Sequence, residues 1–123
     1  MTTAPFSSLL PPPLAAALEK RGYTALTAVQ EAVLDPNLAG RDLRISSQTG
    51  SGKTLAIGLA LRDLVTQARS ERDGRPRGLV VAPTRELAKQ VEDELSWFFA
   101  EVGEVASVTG GASYRDEHRA ARL

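Results

Sequence analysis

Hydrophobic positions recur at helical spacing near both ends of the chain. In the first of these segments Leu14 and Leu18 lie one turn apart, after a run of prolines and before Gly22, a residue typical of helix C-terminal caps. The other segment begins at Thr84 and carries an apolar stripe with spacings of four, four and three residues: Leu87, Val91, Leu95 and Phe98. Both patterns predict amphipathic helices, with the neighbouring Trp97 and Phe99 as core or half-buried packing.

Two more helices are predicted between these segments. Residues 27–30, TAVQ, fit the capping box S/T-x-x-E/Q, and the sequence Asp35-Pro36-Asn37 should end the helix that begins there. Residues 54–68, TLAIGLALRDLVTQA, form an apolar run that is too long for a strand. That run predicts a buried helix.

Three short apolar runs predict strands instead. They are LRIS at 43–46, LVVA at 79–82, which Pro83 ends, and VASVT at 105–109, which two glycines end. The resulting order is helix, helix, strand, loop, helix, strand, helix, strand. Strands that alternate with helices in this way are typical of an α/β fold with a parallel sheet.

Composition narrows the class of protein without deciding it. The chain has 123 residues, enough for one modest core, and it contains no cysteine that could form a disulfide or hold a metal. Fifteen basic and fifteen acidic residues cancel, so any contact with a polyanion must be local. The N-terminal segment is a poor signal peptide, because it has no basic region and is interrupted by prolines. A cytoplasmic location is therefore the default expectation.

The stretch at 46–54, SSQTGSGKT, has the chemistry of a phosphate-binding loop. It lies between a predicted strand and a predicted helix, where unpaired N–H groups and the helix dipole favour an anion. Gly50 and Gly52 allow the backbone to curl around phosphate, Lys53 can reach the terminal phosphates, and the Thr54 hydroxyl can bind Mg²⁺. The loop predicts a nucleoside triphosphate but not its base. Ser47 occupies the position where the widespread G-x-x-x-x-G-K-[ST] pattern has its first glycine.

Four stretches together resemble the DEAD-box RNA helicases. Residues 22–30, GYTALTAVQ, are similar to the family's Q motif, and residues 47–54 are similar to its motif I, A-x-T-G-S-G-K-T. Residues 83–90, PTRELAKQ, match motif Ia, P-T-R-E-L-A-x-Q, and residues 109–111, TGG, resemble the GG motif. Leu26 stands where the Q motif usually has proline, and Ser47 where motif I usually has alanine. Neither change removes a hydrogen-bonding group.

The resemblance implies an ATP site with Mg²⁺ and an RNA path. In this reading Lys53 and Thr54 are the catalytic residues, and Thr54 also holds the metal. The implied ATP-binding residues are Phe6, Tyr23, Gln30, Gln48, Thr49, Gly50, Ser51, Gly52, Lys53 and Thr54. The implied RNA contacts, to the sugar-phosphate backbone and independent of base sequence, are Thr84, Arg85, Gly110 and Gly111.

Several of these residues have a simpler structural explanation. Gln30, which the resemblance places on the adenine edge, also completes the capping box with Thr27, and the two roles can coexist. Phe6, implied to lie against the base, could be ordinary packing. Arg85 could merely open a helix, and the double glycine could merely turn the chain.

The resemblance also sets the expected domain organisation. Residues 1–40 would form a helical Q-motif region, and residues 41–123 part of a RecA-like ATP-binding domain with a parallel sheet, incomplete because the strand with the acidic D-E-A-D motif is missing. The 123 residues alone are therefore expected not to hydrolyse ATP. The alternatives are a non-catalytic half-domain that binds nucleotide or RNA, and a small P-loop kinase. Strands without their usual neighbours predict self-association, strand exchange or an irregular fold.

Overall fold

The computed structural model of the chain describes residues 6–48, 52–66 and 76–109. These ranges contain six α-helices and a short 3₁₀ turn at Pro36–Leu38: α1 Phe6–Leu9, α2 Pro12–Lys20, α3 Ala28–Ala32, α4 Lys53–Ala60, α5 Arg62–Thr66 and α6 Arg85–Phe98. In the ranges described, every helix is too short or too polar to cross a bilayer.

The helix predicted around Leu14 and Leu18 is α2, and its predicted C-terminal end is confirmed in detail. Prolines occupy the start of α2, and Gly22 follows its end with φ of +92°. Gly22 N–H donates to the Glu19 carbonyl at 3.1 Å and Tyr23 N–H to the Leu18 carbonyl at 3.0 Å. These two bonds form a Schellman motif, which satisfies carbonyls that the helix leaves unpaired.

The capping box at the start of α3 is also confirmed. Gln30 N–H donates to the Thr27 hydroxyl at 3.4 Å, and the Gln30 side-chain oxygen accepts from Thr27 N–H at 2.9 Å. The 3₁₀ turn at Pro36–Leu38 follows, capped by the Asp35 carboxylate. The helix therefore ends before Asp35, as the sequence predicts.

One hydrophobic core joins α2, α4 and α6. Its buried side chains are Leu10, Leu14, Ala15, Leu18, Val33, Leu55, Ala56, Leu59, Leu95, Phe98 and Phe99. Gly58 lets α4 approach α6 closely, since a Cβ there would lie only 2.8 Å from Leu95 Cδ2 and 3.1 Å from Phe98 Cδ2. On α6 the predicted stripe is buried at Leu95 and Phe98, whereas Leu87 is exposed.

The predicted parallel sheet is not found in the residues that the structure describes. Segments 43–46, 79–82 and 105–109 have no regular secondary structure, and Leu79 and Val81 are 87% and 83% exposed. A cavity of about 770 Å³ separates the last two segments from the inner face of α6, including Ala88, Val91 and Leu95. A strand needs a neighbour about 4.8 Å away to pair its backbone. Within residues 6–48, 52–66 and 76–109 none of the three segments is paired as a strand, so their apolar sequence alone did not specify a sheet.

Candidate nucleotide-binding site

The candidate phosphate site is the loop that leads into α4. Gly52 adopts a left-handed conformation, φ +87° and ψ 30°, and forms the N-cap of α4, where it has no side chain of its own to cap the helix. The first helical bond runs from Ala56 N–H to the Gly52 carbonyl, at 3.1 Å. The amides of residues 53–55 are therefore free of helical partners and carry the positive end of the helix dipole. This arrangement can bind an anion.

Lys53 spans this loop. Its ammonium group donates to the Ser47 carbonyl at 2.8 Å, and the side chain is exposed. The bond connects the first residue of α4 with the extended segment that precedes the loop. Because a phosphate oxygen is a stronger acceptor for an ammonium group than a neutral carbonyl, an incoming anion can compete for this contact.

Gln30 joins the Q-motif segment to the same loop. The side chain is 2% exposed, and its amide nitrogen donates to the Gly52 carbonyl at 3.2 Å while its oxygen holds the Thr27 amide. Thus a residue 22 positions earlier in the sequence fixes the backbone at the point where α4 begins.

Gly52 is required by two independent constraints. Its positive φ is a conformation that residues with a side chain rarely adopt. In addition, a Cβ at this position would collide with the amide nitrogen of Gln30 and lie 3.2 Å from its Cδ. The glycine is needed for close approach as well as for the turn.

Comparisons with known proteins agree with the motifs at this site. The family model for DEAD/DEAH box helicases matches residues 27–122. The chain belongs to this family. It is 52% identical over 115 residues to the chloroplastic DEAD-box ATP-dependent RNA helicase 3A of Zea mays, and the match covers 90% of this chain. It is 43% identical over 117 residues, 93% of the chain, to the ATP-dependent RNA helicase SrmB of Escherichia coli.

Solved structures of RNA helicases share the fold of this DEAD-box chain. The ADP-bound RNA helicase Prp28 of Chaetomium thermophilum superimposes with a TM-score of 0.80 at 36% identity, over 99% of this chain and 30% of that one. A hypothetical ATP-dependent RNA helicase of Sulfolobus tokodaii gives 0.73 at 29% identity, over 89% of this chain and 30% of that one. The chain spans only 15% of the maize relative and 26% of SrmB.

The structure places some predicted site residues and not others. Gln30, Gly52 and Lys53 converge on the loop, with Thr54 half-buried in the first turn of α4 and Gln48 exposed before the loop. The predicted residues Thr49, Gly50, Ser51, Gly110 and Gly111 lie outside the described ranges. Phe6 begins α1, but its side chain also lies outside what is described.

The two remaining predicted RNA contacts lie at the start of α6. Thr84 caps this helix, since its hydroxyl accepts from Leu87 N–H at 3.1 Å, and Arg85 is the first helical residue. Both side chains are exposed. Arg85 thus opens the helix, which is the structural explanation left open by the sequence. The cap uses the Thr84 hydroxyl only as an acceptor, so its hydrogen can still be donated to a phosphate.

Tyr23 has a packing role that the motif did not indicate. Its ring stacks on Trp97 of α6 with centroids 5.8 Å apart, and the Arg21 guanidinium lies 5.0 Å from the centre of the Trp97 ring. Burial raises the pKa of the Tyr23 hydroxyl, Glu94 raises it further, and Arg21 opposes both. The contact fastens the Q-motif segment to α6, and a nucleotide contact for Tyr23 stays a prediction.

The sequence pattern did not predict the long-range contacts of the site residues. The capping box correctly connects Gln30 with Thr27, but nothing in the pattern connects Gln30 with Gly52 or Lys53 with Ser47. Arg62, whose guanidinium group donates to the Val33 and Leu59 carbonyls, was missed as well. It is the first charged residue after Lys53 in an apolar stretch, which is the one signal that could have drawn attention to it.

Proposed function

We propose that this chain forms the ATP-binding part of a DEAD-box RNA helicase, with its phosphate site at the loop before α4. The observation that carries the proposal is the bond between Gln30 and Gly52, which joins the Q motif to motif I. The residues fit ATP with Mg²⁺. Free amides at the start of α4 and the Lys53 ammonium suit the phosphates, and the Thr54 hydroxyl suits the metal. The bound nucleotide would supply the phosphoryl group for transfer.

Gln30 is proposed to select adenine. Its side-chain amide has one hydrogen and one lone pair beyond those used on Gly52 and Thr27. Adenine offers the matching donor and acceptor, N6–H and N7, whereas guanine offers two acceptors at the same edge.

Sequence-independent RNA binding is proposed at the start of α6, through the exposed Thr84 and Arg85 together with the Gly110-Gly111 pair. Phosphate contacts of this kind fix position without reading bases, and they weaken as salt rises. The relatives are named as RNA helicases, which supports RNA as the partner.

The 123 residues alone are proposed to bind ATP without hydrolysing it. Phosphoryl transfer depends on groups that position the nucleophile and stabilise the developing charge, and the sequence contains neither a D-E-A-D nor an S-A-T stretch. A non-catalytic half-domain that holds nucleotide or RNA is therefore the description that we propose for the chain by itself. The cytoplasmic location stays a prediction, because relatives include chloroplastic and mitochondrial helicases.

Equilibrium binding of labelled ATP and GTP tests the nucleotide site. Lys53→Ala should weaken both nucleotides by about tenfold or more, since it removes a charge from the phosphates. Gln30→Ala should weaken ATP more than GTP, because it removes the adenine contact as well as the bond to Gly52 that both nucleotides share, and so lower the ATP preference by about tenfold. Lys89→Ala, on the exposed face of α6, is the matched control and should change neither. If the unaltered chain bound no nucleotide, the proposed ATP site would be wrong. If it released phosphate from ATP in a Lys53-dependent way, the proposed lack of hydrolysis would be wrong.

Self-association through the exposed apolar segment 79–82 is proposed as a further property of the isolated chain. Unpaired backbone beside exposed Leu79 and Val81 is a template for pairing with a second copy. Sedimentation velocity across a concentration series should show dimers or larger species that Val81→Lys reduces. Leu64→Lys, which charges an apolar residue of α5 that is 45% exposed, should leave them unchanged. A monodisperse monomer at all concentrations would exclude this property.

A further inference from the structure

Arg62 connects two helix ends that are distant in sequence. It begins α5 directly after α4 and is half-buried. One of its terminal nitrogens, Nη1, donates to the Leu59 carbonyl at 2.7 Å and to the Val33 carbonyl at 3.4 Å. The first carbonyl belongs to the last turn of α4, and the second to the residue that caps the C-terminal end of α3.

Carbonyls at helix C-terminal ends need partners from outside the helix. Here both residues are buried, Val33 at 5% and Leu59 at 0% exposure, so water has little access to them. A guanidinium group suits this position because it presents several donors and carries the positive charge that the negative end of a helix dipole favours. Arg62 therefore supplies a donor to the Val33 carbonyl after α3 and a second donor to the Leu59 carbonyl of α4, which also accepts from a backbone N–H.

The position of α3 depends on such contacts. With five residues, α3 is far too short to be stable without tertiary packing. Besides the core packing at Val33, two side-chain hydrogen bonds fasten this end of the chain to α4: Gln30 holds Gly52 before the first turn of α4, and Arg62 holds Val33 after its last turn. Losing the second bond would loosen one end of α3 and with it the placement of the Gln30 amide.

We propose that Arg62 is a positioning residue for nucleotide recognition: it holds α3 against α4 so that Gln30 stays aligned with the loop at Gly52. This inference rests on the proposed adenine-binding role of Gln30. Arg62 itself touches no nucleotide in this proposal.

The test compares Arg62→Met with Arg62→Lys by ATP and GTP binding. Arg62→Met keeps the length of the side chain but removes every donor, and should lower the ATP-to-GTP affinity ratio by about three- to tenfold. Arg62→Lys keeps a charge and several hydrogens on one nitrogen, so its ATP-to-GTP affinity ratio should lie closer to that of the unaltered chain than the ratio of Arg62→Met does. In a Gln30→Ala background, Arg62→Met should leave the ratio unchanged, because the residue that it positions is already missing.

Native-state hydrogen exchange supplies a readout that needs no nucleotide. Arg62→Met should speed exchange of the Glu31 and Val33 amides of α3, while the amides of α6 keep their protection. If the unaltered chain showed no preference for ATP, the proposed function would fail and this inference with it. If the preference were present and Arg62→Met left both it and α3 exchange unchanged, only the role of Arg62 would be wrong. If Arg62→Met did not fold, Arg62→Gln, which is uncharged and too short to reach both carbonyls, would be compared with the unaltered chain by the same two measurements.

Discussion

The helices and the extended segments of this chain bury their apolar residues very differently. Leu14, Leu18 and Leu59 of α2 and α4 are each 0% exposed, whereas Leu79 and Val81 in the segment before α6 are 87% and 83% exposed. Both regions carry large apolar side chains. The difference is that a helix pairs its own backbone and needs only a packing face, while a strand needs a neighbouring strand for its backbone as well.

The proposed nucleotide site lies on the boundary between these two regions. On one side are the N-cap Gly52 and Lys53, the first residue of α4, a helix with other residues packed in the core, and on the other are Ser47 and Gln48 of an extended segment. The bond from Lys53 to the Ser47 carbonyl joins the two sides, so the loop is held between a packed helix and an extended segment.

The largest expected change in the free energy of unfolding comes from a buried side chain, and an exposed side chain serves as the comparison. Phe98→Ala removes a fully buried ring from the core and should lower the free energy of unfolding by about 3–5 kcal/mol. Val81→Ala removes an exposed side chain and should change it by less than about 0.5 kcal/mol. Urea unfolding followed by circular dichroism measures both, at low concentration so that association does not contribute. Equal losses would mean that Val81 is buried in solution and that the contrast is false.

A smaller loss of stability is expected from a substitution at Gly58, where α4 packs against α6. Gly58→Ala adds a methyl group 2.8 Å from Leu95 Cδ2, and the overpacking should outweigh the better helix propensity of alanine, for a net loss of about 1 kcal/mol. The matched control is Gly103→Ala in the turn that follows α6, where nothing outside its chain neighbours lies within 4 Å of the added group. That change should be neutral or slightly stabilising, because alanine restricts the unfolded chain. A stabilising Gly58→Ala would show that α4 and α6 separate easily.

Helices α2, α3 and α6 could be predicted from the sequence because their signals are local, whereas α1 was not predicted and the one helix predicted over 54–68 begins as two, α4 and α5. The prolines and Gly22 mark α2, the capping box marks α3, and the apolar stripe from Leu87 to Phe98 marks α6. Local apolar runs also predicted strands at 79–82 and 105–109, but a strand depends on pairing that its own residues do not encode. The same limit applies to the site. Its loop was recognised from residues 47–54, while the bonds of Gln30 to Gly52 and of Arg62 to Val33 depend on how separate helices pack.

The smallest expected effect is a pH dependence of stability that comes from ion pairs on the exposed face of α6. Lys89 lies 3.2 Å from Asp93 and 3.8 Å from Glu92, and its hydrogen bond and attraction to Asp93, with a further contribution from Glu92, raise the pKa of the ammonium group above 10.5. Because the folded state holds this proton more tightly, the stabilisation is present below pH 10.5 and is lost as the pH rises through the higher folded value.

The effect should be small because the Lys89 side chain is 65% exposed and lies in the N-terminal half of α6, where the helix dipole disfavours a cation. The difference in melting temperature between the unaltered chain and Lys89→Met should therefore be slight at pH 8, vanish near pH 12, and shrink in about 1 M salt, where charges are screened within about 3 Å. Tyr23, whose pKa is also raised, titrates in both proteins and cancels in the difference. A difference that grew with pH would contradict the assigned ion pairs.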